Sequence, residues 1–213
     1  MALKRKRIAK QRAWNKGLVI GQSQAFTVEQ VKRIRTLLAG RGARGIRDLA
    51  LFSLAIDSML QATILLRLKV ADVRSRNGSI RSIIEVTIKR RALPRRCALS
   101  KFTIKALEKW LTASGKKPSD YLFHGRKEET SAPLTTRQLS RLVKEWARDA
   151  GLNASDFGTE SLRRTKARHI LLNTGNLQVV RKLLGHQKIE QTEQFLGEES
   201  NADPIAICRA FDF

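Results

Sequence analysis

Cysteine, histidine and tyrosine are all scarce in this sequence. Its two cysteines, Cys97 and Cys208, supply neither a disulfide framework nor a zinc set. The three histidines, His124, His169 and His186, form no cluster with metal-ligand spacing, so neither a metal nor another cofactor is expected. The single tyrosine, Tyr121, stands in the apolar stretch Asp120-Tyr121-Leu122-Phe123 and reads as core. No apolar run approaches the ~20 residues of a membrane span. The basic N-terminus is not followed by the apolar region of a signal peptide. The expectation is a soluble, cytoplasmic protein without a membrane partner.

Acidic charge is short as well. Asp and Glu number 19 against 42 Lys and Arg, a formal net charge of +23 over 213 residues. Charge of this size repels itself in the compact state, and a polyanion is the natural compensation. The sign alone also fits ribosomal or membrane-surface binding, but double-stranded DNA or another nucleic acid is the leading expectation. The first 16 residues carry Lys4, Arg5, Lys6, Arg7, Lys10, Arg12 and Lys16 with no acid. Residues 1–25 therefore read as a basic arm or solvated tail that could lie on phosphates, and 26–213 as one domain.

Within that domain the patterning is helical. Thr27-Val28-Glu29-Gln30 is a capping-box pattern, followed by Val31, Ile34, Leu37 and Leu38 at helical spacing. Gly40, Gly42 and Gly45 are expected to break this helix. A second helix over about 46–60 offers Leu49, Phe52, Leu54, Ala55 and Ile56 to the core, and a short third holds Ile64, Leu65 and Leu66. From Ile80 to Leu99 the period changes to two, with Ile84, Val86 and Ile88, then Cys97 and Leu99, which predicts a small antiparallel sheet with a basic turn. Helices are expected again over about 102–113, 136–150, 159–173 and 177–184, the last with Asn176 as N-cap and Gly185 as its C′ residue. A short helix at 188–195 and a C-terminal helix from Asp203-Pro204 complete a mainly α domain with one small sheet.

Three blocks, in order, resemble the tyrosine recombinase (phage integrase) family over about residues 26–200. Leu60 to Leu68 with Asp72-Val73 is similar to the family's first box. Val86 to Ser100 is similar to the hairpin that carries a catalytic lysine. Thr159-Glu160-Ser161-Leu162-Arg163-Arg164-Thr165, Leu183-Leu184-Gly185-His186 and Thr192-Glu193-Gln194-Phe195 resemble the second box. The resemblance implies that family's catalytic-domain fold, in which two arginines grip the scissile phosphate, a lysine and a histidine assist proton transfer, and a tyrosine attacks. Arginine suits the task because its fork matches phosphate oxygens and neutralises transition-state charge. A hydroxyl nucleophile stores the bond energy covalently.

Carried over residue by residue, the family positions are degenerate. The first arginine falls at Gln61, the second-box histidine at Glu160 and the nucleophile at Phe195. Arg163 and His186 are retained. The lysine position is Lys89 or Arg90, depending on register. The resemblance therefore implies a DNA-binding, non-cleaving accessory or regulatory factor in recombination or integration. The alternative is an active recombinase completed in trans or by an unrecognised nucleophile, and a third reading is a non-specific nucleic-acid coat.

The candidate DNA contacts are the arm (Lys4, Arg5, Lys6, Arg7), the basic turn (Lys89, Arg90, Arg91, Arg95, Arg96), the helical stripe Arg137, Arg141 and Lys144, and Arg163 with Arg164. Plainer readings stand beside several of these. Glu160 and Arg163 are three apart and can pair along the helix, and the stripe can be a solvated face. His186 can cap the preceding helix. Trp110 and Trp146 fall at core spacings. Family members often pass a C-terminal segment into a neighbouring subunit. Residues 203–213, with Ile205, Ile207, Cys208 and Phe211, are apolar enough for that, so self-association or active relatives are expected partners.

Overall fold

In the computed structural model of the chain, residues 22–87, 94–125 and 132–197 are described. The arm, Ile88 to Arg91 and the C-terminal segment from Asp203 lie outside them. Thr27 starts the domain as its sequence suggests. Its hydroxyl accepts the N–H of Gln30 (3.2 Å), and the Gln30 side chain accepts the N–H of Thr27 (2.9 Å), opening helix α1, Val28–Ala39. Ile34 and Leu38 are buried, whereas Leu37 is exposed.

Helix α2, Gly42–Ser58, is the axis of the fold. Every residue from Ala50 to Ser58 is buried, as in a helix covered on all sides, and α1, α5 and α7 pack against it. Leu49, expected in the core, is only half-buried at its edge. Of the three glycines expected to break the helix, Gly40 caps α1 and Gly42 opens α2, but Gly45 lies inside α2. A Cβ there would stand 2.1 Å from the Leu38 carbonyl oxygen, so this glycine serves close packing of α2 on α1.

Short helices α3 (Ala62–Leu65) and α4 (Val70–Val73) lead to the sheet. Strands β1, Ile83–Val86, and β2, Arg95–Ala98, pair antiparallel with Ile84 opposite Cys97 and Val86 opposite Arg95. Ile84, Val86 and Cys97 point inward, as the period of two requires. Ser100 caps helix α5, Lys101–Ser114, and Thr135 forms a capping box on α6, Thr136–Asp149. Trp146 of α6 is fully buried, edge-on to Phe52 at 5.5 Å, with its indole N–H on buried Asp48 (3.2 Å). Trp110 is buried and donates to the Leu122 carbonyl (2.9 Å), so both tryptophans are packing residues. A 3-10 turn at Ala154–Asp156, with no period to announce it, precedes α7, Thr159–Thr174.

Helices α7, α8 (Leu177–Leu184) and α9 (Ile189–Leu196) bury a second apolar cluster: Met59, Ala167, Leu171, Val180, Leu184 and Leu196. Met59 joins the two halves. It ends α2 at φ 50, the one non-glycine residue with positive φ among those described. A buried methionine in that region is held there by its surroundings.

Replacing Gly45 with alanine drives a methyl into the α1 backbone. The expected cost is about 1–3 kcal/mol of stability, the range for overpacking a tight contact. Urea unfolding measures it; an unchanged midpoint contradicts the close approach of α1 and α2.

Candidate functional site

The second turn of α7 carries two arginines, and both turn inward. Arg163 is 5% exposed. Its Nε donates to the Met59 carbonyl (2.9 Å), and one Nη donates to the Leu184 carbonyl at the end of α8 (2.7 Å). The same Nη lies 3.4 Å from Nε2 of His186. Burial lowers the Arg163 pKa, with nearby Glu160 opposing. The guanidinium nonetheless stays charged, because an arginine does not lose its proton at neutral pH.

His186 follows Gly185, whose positive φ of 70 turns the chain at the end of α8. Its backbone N–H caps the helix by donating to the Arg181 carbonyl (3.1 Å). Its ring is used elsewhere: Nδ1 lies 3.0 Å from the Thr192 hydroxyl, and Nε2 faces Arg163. An arginine can only donate, so this arrangement selects the neutral imidazole with its proton on Nδ1. Burial first, then the charges of Arg163 and Arg95, push the His186 pKa down to about 4.

Phe195 of α9 lies against this group. Its ring centroid is 4.9 Å from the Arg163 guanidinium carbon, 4.8 Å from that of Arg164, and 5.5 Å from the His186 ring, edge-on. The contacts are of cation–π kind, which holds the ring in place without offering any oxygen. Glu160 sends its carboxylate to 3.8 Å from the remaining Nη of Arg163, so the helical pair expected from the sequence is present. Gln61 is exposed as the N-cap of α3 and makes no side-chain cap bond.

The expected DNA contacts separate into three groups. Arg164 is buried rather than presented: its Nε donates to the Phe195 carbonyl (2.6 Å) and an Nη donates to the Ser23 carbonyl. It ties α9 and the entering chain to α7. Arg95 also turns in, with one Nη donating to the Leu183 carbonyl. Arg96, next to it, is exposed, with Nε 3.4 Å from the Glu85 carboxylate. Arg137, Arg141 and Lys144 lie on the exposed face of α6. Lys4, Arg5, Lys6, Arg7, Lys89, Arg90 and Arg91 fall outside the described residues.

Sequence reasoning missed two participants, Met59 and Lys166, and placed a third, Arg95, on the basic turn. Met59 gives the carbonyl that anchors Arg163, a backbone role that no side-chain pattern announces. Lys166 reaches across to Asp57 Oδ1 (3.1 Å) and lies 3.4 Å from the Ala98 carbonyl, tying α7 to α2 and β2. Burial raises the Asp57 pKa, but bonds from Thr103 and Ser100 and the charge of Lys166 outweigh it, so the carboxylate stays ionised. Arg95 was readable in principle. Cys97 faces inward, and two residues earlier on a strand is the same face.

The family model described as "Phage integrase family" matches residues 24–200. The chain belongs to the phage integrase family. It is 26% identical over 200 residues to the tyrosine recombinase XerD of Rickettsia conorii, covering 88% of this chain and 65% of that protein. It is 34% identical over 148 residues to the tyrosine recombinase XerC of Erythrobacter litoralis, covering 70% and 45%. The chain thus spans about half to two thirds of the length of these relatives. Among solved structures, XerA recombinase superposes with a TM-score of 0.69 at 21% identity, covering 90% of this chain and 67% of that one. The catalytic domain of bacteriophage HP1 integrase gives 0.55 at 16%, covering 88% and 95%. The mainly helical fold with a two-stranded sheet is that of the family's catalytic domain. No helix among the described residues is long and apolar enough to cross a membrane.

The imidazole of His186 gives a pH test. Its folded value of about 4 lies below the ordinary 6.5, so between these values the unfolded chain binds more protons. The contribution of His186 to stability is therefore complete above about 6.5 and is lost as pH falls through about 4. Ring-proton NMR should show the depressed titration, and His186→Gln should flatten the acid side of the stability curve. A His186 titrating at its ordinary value contradicts a ring buried beside Arg163 and Arg95.

Proposed function

We propose that this chain binds double-stranded DNA in the service of recombination or integration without cutting it, as an accessory or regulatory member of its family. The observation that carries the reading is Phe195. It stands in the second-box position of the attacking tyrosine, in contact with retained Arg163 and His186, and has no oxygen with which to form a phosphotyrosyl bond. Two further departures act in the same direction. Gln61 offers a neutral amide where a cation is needed, and Glu160 places a negative charge 3.8 Å from the retained arginine. The single tyrosine, Tyr121, is engaged elsewhere in the chain, in an isolated bridge with Lys69 between α3 and α4.

What survives is the capacity to hold an anion. The net charge of +23 supplies long-range attraction, and the exposed α6 cations together with the basic arm supply phosphate contacts. Among relatives in structure, XerH is a site-specific recombinase solved on its difH substrate. A non-cleaving member would occupy such sites or join active relatives on them.

The test is a mobility-shift titration on duplex DNA from around the coding locus, with random competitor at moderate salt, followed by denaturation in detergent. A sequence-preferring complex with no covalent adduct is expected. An adduct overturns the reading and restores an active recombinase, and binding indifferent to sequence leaves a general DNA coat. Glu160→Gln removes a half-exposed anion from the site and should tighten duplex binding about fivefold, or about 1 kcal/mol. Unchanged or weaker binding by Glu160→Gln contradicts a phosphate seat at Arg163.

A further inference from the structure

The site holds a second guanidinium that the family boxes do not account for. Arg95 enters from β2, on the inward face it shares with Cys97. One Nη donates to the Leu183 carbonyl and lies 3.5 Å from the Met59 carbonyl oxygen. Arg163 uses the next carbonyl, Leu184, and the same Met59 oxygen. Two arginines from different elements are therefore seated side by side on consecutive carbonyls in the last turn of α8, with one acceptor in common. A helix C-terminus attracts cations, but it carries only about half an elementary charge against two full ones.

The pair is under-neutralised. Arg163 has Glu160 at 3.8 Å. Among the described residues Arg95 has no carboxylate partner, and its Nε is buried without a hydrogen-bond acceptor. Burial, with the charge of Arg163 beside it, pushes the Arg95 pKa down to about 10, which still leaves it cationic at neutral pH. A buried charged donor with nothing to donate to is costly, and an anion shared by both forks relieves both costs together. Gln61, at the position of the missing arginine, is two residues from the carbonyl that the pair shares.

We propose that Arg95 is a phosphate-binding residue of this site, supplying from strand β2 the second guanidinium that position 61 lacks, with a DNA phosphodiester as the ligand. The proposal deepens the DNA-binding reading above and rests on it for the source of the phosphate. It assigns Arg95 a role in holding the anion, and no covalent step is involved. The opposing possibility is that Arg95 is only a staple between β2 and α8.

The experiment uses the full chain, labelled with 15N-arginine, and the variants Arg95→Gln, Arg95→Lys and, as a charge control on the exposed face of α5, Lys109→Gln. The first probe is inorganic phosphate, read by the Nε–Hε signal of Arg163. The wild-type signal should shift to saturation, and Arg95→Gln should weaken the affinity about tenfold, the scale of one charge-assisted bidentate contact. The second probe is duplex DNA over a range of salt. Arg95→Gln should reduce the salt slope by about 0.9, one phosphate contact, and Lys109→Gln should leave phosphate affinity unchanged. If Arg95→Gln does not fold, Arg95→Lys keeps the charge and loses the fork, and should weaken phosphate binding severalfold.

A wild-type Arg163 signal indifferent to phosphate overturns the proposal. So does an Arg95→Gln chain with a lowered melting temperature but unchanged phosphate affinity and salt slope, because a staple alone produces that result. Phosphate binding through Arg95 without duplex binding upholds the site and defeats the DNA reading. Duplex binding unaffected by Arg95→Gln upholds that reading and defeats the site.

Discussion

Burying a guanidinium costs several kcal/mol unless its donors are used, and Arg163 is almost wholly buried. The chain meets that cost with backbone carbonyls. Met59 at the end of α2 and Leu184 at the end of α8 each accept from it, so one α7 side chain fixes the ends of two other helices. The left-handed conformation of Met59 is part of the same arrangement, since it brings a carbonyl toward the arginine that the helix would otherwise leave unpaired. The positions of His186, through Gly185, and of Phe195, through ring contact, follow from where Arg163 is held.

The electrostatics of the site follow from that anchorage. Arg163, Arg95 and buried Arg164 converge on the ends of α8 and α9, and burial, with the charges of Arg163 and Arg95, keeps His186 neutral. Carbonyl oxygens orient these cations without cancelling them. The local anions are spent elsewhere or poorly placed: Asp57 is taken by Lys166, and Glu160 reaches Arg163 only at 3.8 Å. The α7 arginines are thus left with little anionic compensation among the described residues. Phe195 closes one side with an apolar ring against Arg163 and His186.

Much of this was legible in the sequence because it rests on local chemistry. The Thr27 capping box, the Asn176 cap, the Gly185 turn and the alternation of Ile84 and Val86 each declare themselves within a few residues. The resemblance brought Arg163, His186 and Phe195 to one place, and they are in contact. What was not legible depends on partners distant in the chain. Gly45 looks like a helix breaker until α1 lies across it, and Arg164 looks like a surface cation until the Phe195 and Ser23 carbonyls meet it. Arg95 reads by its charge as part of the basic turn, and only its strand position, two residues before inward Cys97, places it inside.

On the proposed reading the chain keeps a phosphate grip at Arg163 without the residues for cleavage. The most direct measurement is the arginine Nε–Hε NMR spectrum of the chain titrated with its preferred duplex. The Arg163 and Arg95 signals are expected to move with the bound fraction, while Arg164, held between carbonyls, stays in place. Movement confined to Arg137 and Arg141 on α6, with Arg163 silent, would contradict it.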